Sequence, residues 1–156
     1  MGLVRDAILD LLQEAGVVFR HVEHEPTRTS EESAAARGEP LAIGGKTLLL
    51  KVDDRFELFV LSAARRMVSS RARKAAGARR SRFATAEELL EMTGLVPGTV
   101  PPFGEPILPF PLRADRSVLE HDRIAFNAAC PTESIVMATE DWLRLARPRL
   151  LDFTRA

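Results

Sequence analysis

Apolar residues recur at helical spacing from Leu3 to Ala15, where Leu3, Ala7, Ile8, Leu11, Leu12 and Ala15 are separated by Arg5, Asp6, Asp10, Gln13 and Glu14. The spacing predicts an amphipathic helix docked on a core, with Gly16 as its stop. VVFRHV (17–22) then reads as a strand. A polar turn around Pro26 leads to Thr29 and Glu32, three residues apart as in a capping box, which open a short helix from Ser30 to Arg37 closed by Gly38. After Gly44-Gly45, the runs KTLLLKV (46–52) and RFELFVL (55–61) predict a hairpin turning at Asp53-Asp54, its first strand apolar enough to be buried on both faces.

The second half is more broken. The basic stretch beyond Arg65 predicts a helix ending at Gly77, and Thr85 with Glu88 repeats the capping-box spacing before a short helix stopped by Gly94. In TGLVPGTVPPFG (93–104) six of twelve residues are glycine or proline, which predicts a rigid loop with Phe103 as its anchor on the core. Short β-like pieces follow at 107–112, 123–127 and 134–138, and Thr139 is placed to cap a last helix running through Trp142 to Arg147. Strands and helices alternate without a strict βαβ period. The expected fold is a mixed α/β (α+β) single domain over residues 1–156, a curved mixed sheet flanked by helices, with no repeat and no dividing linker.

Composition narrows the function by exclusion. A chain of 156 residues with 46% hydrophobic and 28% charged residues is ordinary for a globular domain. The single cysteine, Cys130, cannot form an internal disulfide, and no stretch has the apolar length of a membrane span or a secretory signal, so a cytoplasmic location without membrane partners is expected. His21 and His24 would leave a strand on opposite faces, and His121 and Cys130 lack motif spacing, so neither a metal nor a cofactor is expected. No G-x-S-x-G elbow, P-loop or dinucleotide fingerprint is present; Gly44-Gly45-Lys46-Thr47 opens a strand where a P-loop would open a helix.

Charge adds one asymmetry and one candidate. Twenty-two basic residues balance twenty-two acidic ones, yet 65–82 holds eight basic residues and no acidic one. Arg71, Arg73, Lys74, Arg79 and Arg80 are therefore candidates for contact with a nucleic-acid backbone, set against the ordinary alternative of a solvated face. Lys46 follows two glycines that let a ligand approach the backbone and precedes a strand that would fix its Cα, which suits a phosphate, set against the ordinary alternative of a solvated surface charge. The Gly/Pro loop could hold backbone N–H groups in one arrangement to bind an oxyanion, or could simply cross the end of the sheet.

Taken in order, HEPTRTSEESAAARG (24–38), KTLLLKV (46–52), ATAEELLEMTG (84–94), PGTVPPFG (97–104), the Asp115 segment, FNAA (126–129) and SIVMATEDW (134–142) resemble the YbaK/prolyl-tRNA-synthetase-associated domain family of aminoacyl-tRNA editing domains. The resemblance spans nearly the whole chain. It implies a trans-acting hydrolase that cleaves the ester between a small amino acid (Ala, Cys or Ser) and the terminal adenosine of a misacylated tRNA, with an aminoacyl-tRNA synthetase as a partner the family admits. It places Lys46 beside the terminal phosphate and Gly98 and Pro102 around the aminoacyl group, making Lys46 and Gly98 the catalytic candidates. Thr29, Thr47, Thr99, Val100, Pro101, Asn127, Ala129 and Cys130 complete the implied substrate site. No strong general base is visible, which fits a family in which the substrate assists, through its ribose hydroxyl or in some members its own side chain. Many relatives have a glycine where this chain has Ala129 and a histidine where it has Pro131, so a donor to the substrate carbonyl is missing or replaced. The competing readings are a non-catalytic module that binds an aminoacyl-adenosine end, a nucleotide or a synthetase, and a small-molecule hydrolase that ignores tRNA.

Overall fold

A computed structural model describes residues 2–156. Helix α1 (Leu3–Ala15) stops at Gly16 in the left-handed conformation and buries Ile8 and Leu12 completely. Each such side chain contributes roughly 1.5–3 kcal/mol, enough to hold the helix on the core. Strand β1 (Phe19–Glu23) begins two residues later than the apolar run implies, because Val18 projects into solvent. Helix α2 (Ser30–Arg37) carries the expected capping box: Thr29 Oγ1 accepts from Glu32 N at 3.1 Å, and the Glu32 carboxylate accepts from Thr29 N at 3.0 Å.

Strands β2 (Gly45–Val52) and β3 (Arg55–Ser62) form the predicted antiparallel hairpin, Lys46 facing Leu61 and Val52 facing Arg55. Asp53 takes the left-handed turn position at φ 56°, a conformation its short polar side chain tolerates. Its carboxylate accepts the N–H groups of Arg79 and Arg80 at 2.9 and 3.0 Å, so the basic segment is pinned to the hairpin turn.

That segment is less helical than its charge pattern implies. It contains β4 (Arg66–Met67), helix α3 (Ser69–Ala75) and β5 (Ser81–Phe83), with Gly77 at φ 66° ending the helix as expected. Helix α4 (Ala86–Thr93) has the second capping box. The β-like piece placed at 107–112 is not a strand over most of that span. Pro106, Pro109 and Pro111 cannot donate to a ladder, and β6 runs instead over Leu112–Asp115.

Strands β7 (Arg123–Asn127) and β8 (Glu133–Ala138) lie where the pattern puts them. Helix α5 (Thr139–Ala146) is not capped by Thr139, which is its first helical residue: Thr139 N–H reaches Asp122 O at 2.9 Å, and its hydroxyl is buried without a partner. Two short strands, β9 (Arg149–Leu151) and β10 (Thr154–Arg155), finish the chain.

The architecture is the expected mixed α/β, with the strands divided among sheets. One sheet has the order β5-β2-β3-β6-β9, a second β1-β8-β7, and a two-stranded ribbon joins β10 to β4. The larger core lies between the first two sheets, where Leu49, Leu58, Val60 and Ala114 meet Ile124, Phe126, Ile135 and Met137, with Trp142 of α5 and Leu89 of α4 closing it. Leu50, Val52, Phe59 and Leu61 face the other way, onto Ala72 and Ala76 of α3 and Phe153. Strand β2 is thus buried on both faces over its second half, as its apolar run predicts.

Two buried carboxylates fasten this frame. Asp115 accepts Phe153 N at 2.8 Å, Thr154 N and Ser117 N at 3.1 Å, and both neighbouring hydroxyls, tying the chain end to β6. Glu57 joins Arg55 (2.7 Å) and Arg113 across β3 and β6.

Candidate active site

Glycine packing brings the site together. Gly44 bridges Ala125 of β7, and a Cβ on Gly45 would stand 2.8 Å from Ile124 Cδ1, so any larger residue there would force the buried Ile124 side chain to shift. That approach of β2 to β7 brings Lys46 and Asn127 into the lining of one cavity of about 470 Å³. The cavity is walled by the start of β2 (Lys46, Thr47, Leu48), the end of β7, the N-terminal turn of α2 with Thr29, and Pro97, Gly98 and Val100 of the Gly/Pro loop. Segments up to a hundred residues apart in sequence therefore share one wall.

Lys46 is exposed and has no ion-pair partner among the described residues, leaving its ammonium free for a ligand. Three cationic side chains, Arg28, Arg37 and Lys46, line the cavity against one carboxylate, Glu31, so its field favours an anion. Thr47 is buried, and its hydroxyl lacks a partner.

Gly98 takes φ 88°, and Asn127 Nδ2 donates to its carbonyl at 2.7 Å. Thr99 N–H is used by Val96 O, whereas the N–H groups of Gly98 and Val100 have no hydrogen-bond partner among the described residues. Asn127 is the hub of this wall. Its Oδ1 accepts from Arg37 Nη2 and from Ser134 Oγ, each at 3.3 Å, and the fully buried Ser134 continues to His24 Nε2 at 2.8 Å.

Arg37 is a site residue that the sequence pattern hides, because a basic residue in the last turn of a helix ordinarily reads as solvated. It is buried, donates to Ser33 O at 3.0 Å, and its desolvated guanidinium is pushed down to about 10, still protonated at neutral pH. Arg28, Ser33 and Pro97 also line the cavity, and their only sequence signal is proximity to the cap of α2 or to Gly98.

Other candidates stand behind the wall. Thr99 is buried with its hydroxyl donating to Val96 O at 2.8 Å, Pro101 is buried, and the Pro102 carbonyl accepts Trp142 Nε1 at 2.8 Å. These residues brace the loop without lining the cavity. Phe103 packs edge-on against Phe126, with ring centroids 5.6 Å apart.

Ala129 (φ 64°) and Cys130 lie in the β7–β8 turn, also outside the cavity lining. Cys130 Sγ sits 3.3 Å from Glu133 Oε2. Burial opposes ionisation of Glu133, but hydrogen bonds from Arg5, His21 and Cys130 outweigh it and hold the carboxyl below its ordinary range. Pro131 contributes a carbonyl that accepts Thr27 N–H at 3.1 Å, and no histidine lines the cavity.

The five basic candidates divide. Arg73, Arg79 and Arg80 line a groove with Lys51, Arg82, Asp53 and Asp54; Arg71 Nη1 is engaged with Thr154 O at 3.1 Å, and Lys74 is exposed on α3. This groove lies at the other end of β2 from Lys46, about 16 Å away at ~3.3 Å per strand residue.

The cavity is thus cationic, and its lining includes a lysine without an ion pair and, among the described residues, two loop amides without partners. The sequence matches the aminoacyl-tRNA editing domain over residues 24–145, and the chain belongs to that family of hydrolases. It is 36% identical over 160 residues to a multifunctional Ser/Thr-tRNA deacylase ProXp-y of Escherichia coli, covering 99% of this chain and 95% of that protein. It is also 32% identical over 117 residues to a proline–tRNA ligase of Shouchella clausii, a match that spans 75% of this chain and 20% of the ligase. Among solved structures, one described as a putative trans-editing enzyme for prolyl tRNA synthetase superposes with a TM-score of 0.85 at 25% identity, covering 100% of this chain and 99% of that one. No helix among the described residues is long and apolar enough to cross a membrane.

Proposed function

We propose that this protein acts in trans on misacylated tRNA, hydrolysing the ester between a small hydroxyl-bearing amino acid, serine first, and the terminal adenosine. The observation that carries this is the convergence of Lys46 and the Gly98 loop on one cavity. Lys46 holds the phosphate of the terminal nucleotide as a point charge. The N–H groups of Gly98 and Val100 are free to stabilise the oxygen that becomes negative when water attacks the ester carbonyl, and Asn127 fixes the loop that carries them. The proton of the attacking water is relayed through a substrate group such as the neighbouring ribose hydroxyl to the leaving nucleoside oxygen, so the ester C–O bond breaks to give the free amino acid and the tRNA hydroxyl. Positioning of this kind can supply several kcal/mol of the barrier.

Serine is favoured over alanine and cysteine by the polar wall, where Thr27, Thr29, Ser33 and Asn127 offer partners to a hydroxyl, and by the similarity to a Ser/Thr-tRNA deacylase. Arg73, Arg79 and Arg80 would meet the phosphate backbone farther along the tRNA. The match to a proline–tRNA ligase supports a synthetase as the protein partner.

The test is a panel of seryl-, threonyl-, alanyl- and cysteinyl-tRNA with purified protein. Fastest hydrolysis of seryl-tRNA is expected. Fastest hydrolysis of alanyl- or cysteinyl-tRNA would remove the serine assignment, and turnover of simple esters without any effect of tRNA would point to a small-molecule hydrolase. Turnover of none would leave a binding module, the reading favoured by a cavity without histidine.

A further inference from the structure

Phe83 is the one exposed aromatic ring near the cavity among the described residues, 55% accessible although it belongs to a strand. The sheet register defines where it stands. Phe83 pairs with Leu50 in the antiparallel β2–β5 ladder, and directly opposed residues share a face. Lys46, Leu48 and Leu50 alternate onto that same face. Leu48 is itself part of the cavity wall, and Phe83 sits on the diagonal from it, a separation of about 7–8 Å that an aromatic ring can bridge.

From Lys46 to Phe83 the path along the face is about 14 Å, combining four strand residues at ~3.3 Å with one interstrand step of ~5 Å. That length spans about four nucleotides at the ~3.4 Å rise of a stacked strand, and fewer when the strand is drawn out. On the far side of Phe83, Arg79 and Arg80 begin the basic groove. Leu50 is covered by α3 and Phe153, so the open route is the sheet edge, from Lys46 past the half-buried Leu48 to Phe83. An unpaired strand leaving the cavity along that edge would meet a cation, then a bare ring, then more cations, the combination used to hold single-stranded nucleic acid.

We propose that Phe83 is a stacking platform for an unpaired base of the tRNA 3′ strand, two to four positions before the terminal adenosine. The proposal rests on the tRNA reading above. Stacking is tolerant of base identity, so the residue would add affinity for any tRNA with a single-stranded end while leaving recognition of the amino acid to the cavity.

Binding of a fluorescent single-stranded RNA oligonucleotide ending in CCA, followed by anisotropy, tests this apart from catalysis. Phe83→Ala should weaken binding at least about tenfold, and Phe83→Trp should restore it. Phe83→Leu keeps the apolar bulk without the ring and should bind like the alanine variant. Adenosine 5′-monophosphate, which reaches only Lys46, should bind all four proteins equally. Equal oligonucleotide affinity in wild type and Phe83→Leu would overturn the proposal, as would no oligonucleotide binding by the wild type. Phe83-dependent binding by a protein that hydrolyses no aminoacyl-tRNA would instead defeat the enzymatic reading and leave the platform standing.

Discussion

Replacing Asn127 by aspartate keeps the size and shape of the side chain and both of its acceptor roles toward Arg37 and Ser134, but removes the donor to Gly98 O. The 2.7 Å hydrogen bond becomes two oxygens facing one another. A hydrogen bond of this kind contributes about 0.5–1.5 kcal/mol net, and leaving the carbonyl without a donor costs on the order of 1–3 kcal/mol where it is shielded from water. Gly98 O is at an exposed loop, so the lower end applies, about 1 kcal/mol. For a domain of this length that lowers Tm by roughly 2–4 °C.

The effect on activity should be larger than the effect on stability. With φ 88° at Gly98 and nothing within 4 Å of its Cβ position, the loop has room to move once the tether is cut. A displacement of about 1 Å at the reacting groups can cost about 100-fold. We expect kcat/KM for seryl-tRNA to fall by about 10- to 100-fold in Asn127→Asp, and by a similar factor in Asn127→Ala, read by single-turnover release of serine from labelled seryl-tRNA. Circular dichroism and thermal melting would show that the fold is kept. An activity within about twofold of wild type in both variants would refute the inference that Asn127 positions the loop.

Gly98→Ala should act through backbone strain alone, costing about 1–2 kcal/mol and slowing deacylation, because an added Cβ meets open space; an unchanged rate and Tm would contradict this. Asp115→Ala leaves the N–H groups of Phe153, Thr154 and Ser117 without their acceptor and should destabilise the protein by about 2–4 kcal/mol in urea unfolding. Burial opposes ionisation of Asp115, but hydrogen bonds from Ser117, Phe153 and Thr154 outweigh it and lower the carboxyl below its ordinary 3.8. Its contribution is therefore complete above that pH and fades as pH falls through the lowered value, so the difference in stability between wild type and Asp115→Ala should shrink in acid. If Arg73, Arg79 and Arg80 contact phosphates, changing all three to alanine should flatten the slope of log affinity for duplex-bearing tRNA against log salt by about 2.7, near 0.9 per contact; an unchanged slope would make the groove a solvated face.

Local chemistry was readable in the sequence wherever it was enforced by a few adjacent residues. Both capping boxes, the Asp53-Asp54 hairpin and the glycine stops at Gly16, Gly38 and Gly94 follow from steric and hydrogen-bonding rules that span four residues or fewer. The pairing of β3 with β6, and of β1 with β8 ahead of any contact with β2, involves partners far apart in sequence, and no local pattern encodes it. Around 107–112 the apolar residues suggested a strand because periodicity counts side chains, whereas the missing N–H groups of three prolines decide the backbone.

The same distinction holds for the site. Lys46, Thr47, Gly98, Val100 and Asn127 were legible through their ordered motifs and do line one cavity, as does Thr29. Arg37 was not, because its burial and its contact with Asn127, ninety residues away, are tertiary features that no local pattern encodes. Phe83 is hidden for the opposite reason: a phenylalanine beside a basic run reads as core, whereas in the folded chain it stays exposed on the edge strand β5.

In the proposed mechanism the Lys46 ammonium holds the terminal phosphate while the Gly98 loop receives the developing oxyanion. Single-turnover hydrolysis of seryl-tRNA by Lys46→Ala, with melting to show that this exposed residue leaves the fold intact, tests it most directly. A loss of about 100-fold is expected, the size of effect when the reacting ester is left about 1 Å out of place by losing its phosphate anchor. Hydrolysis at the wild-type rate would contradict it.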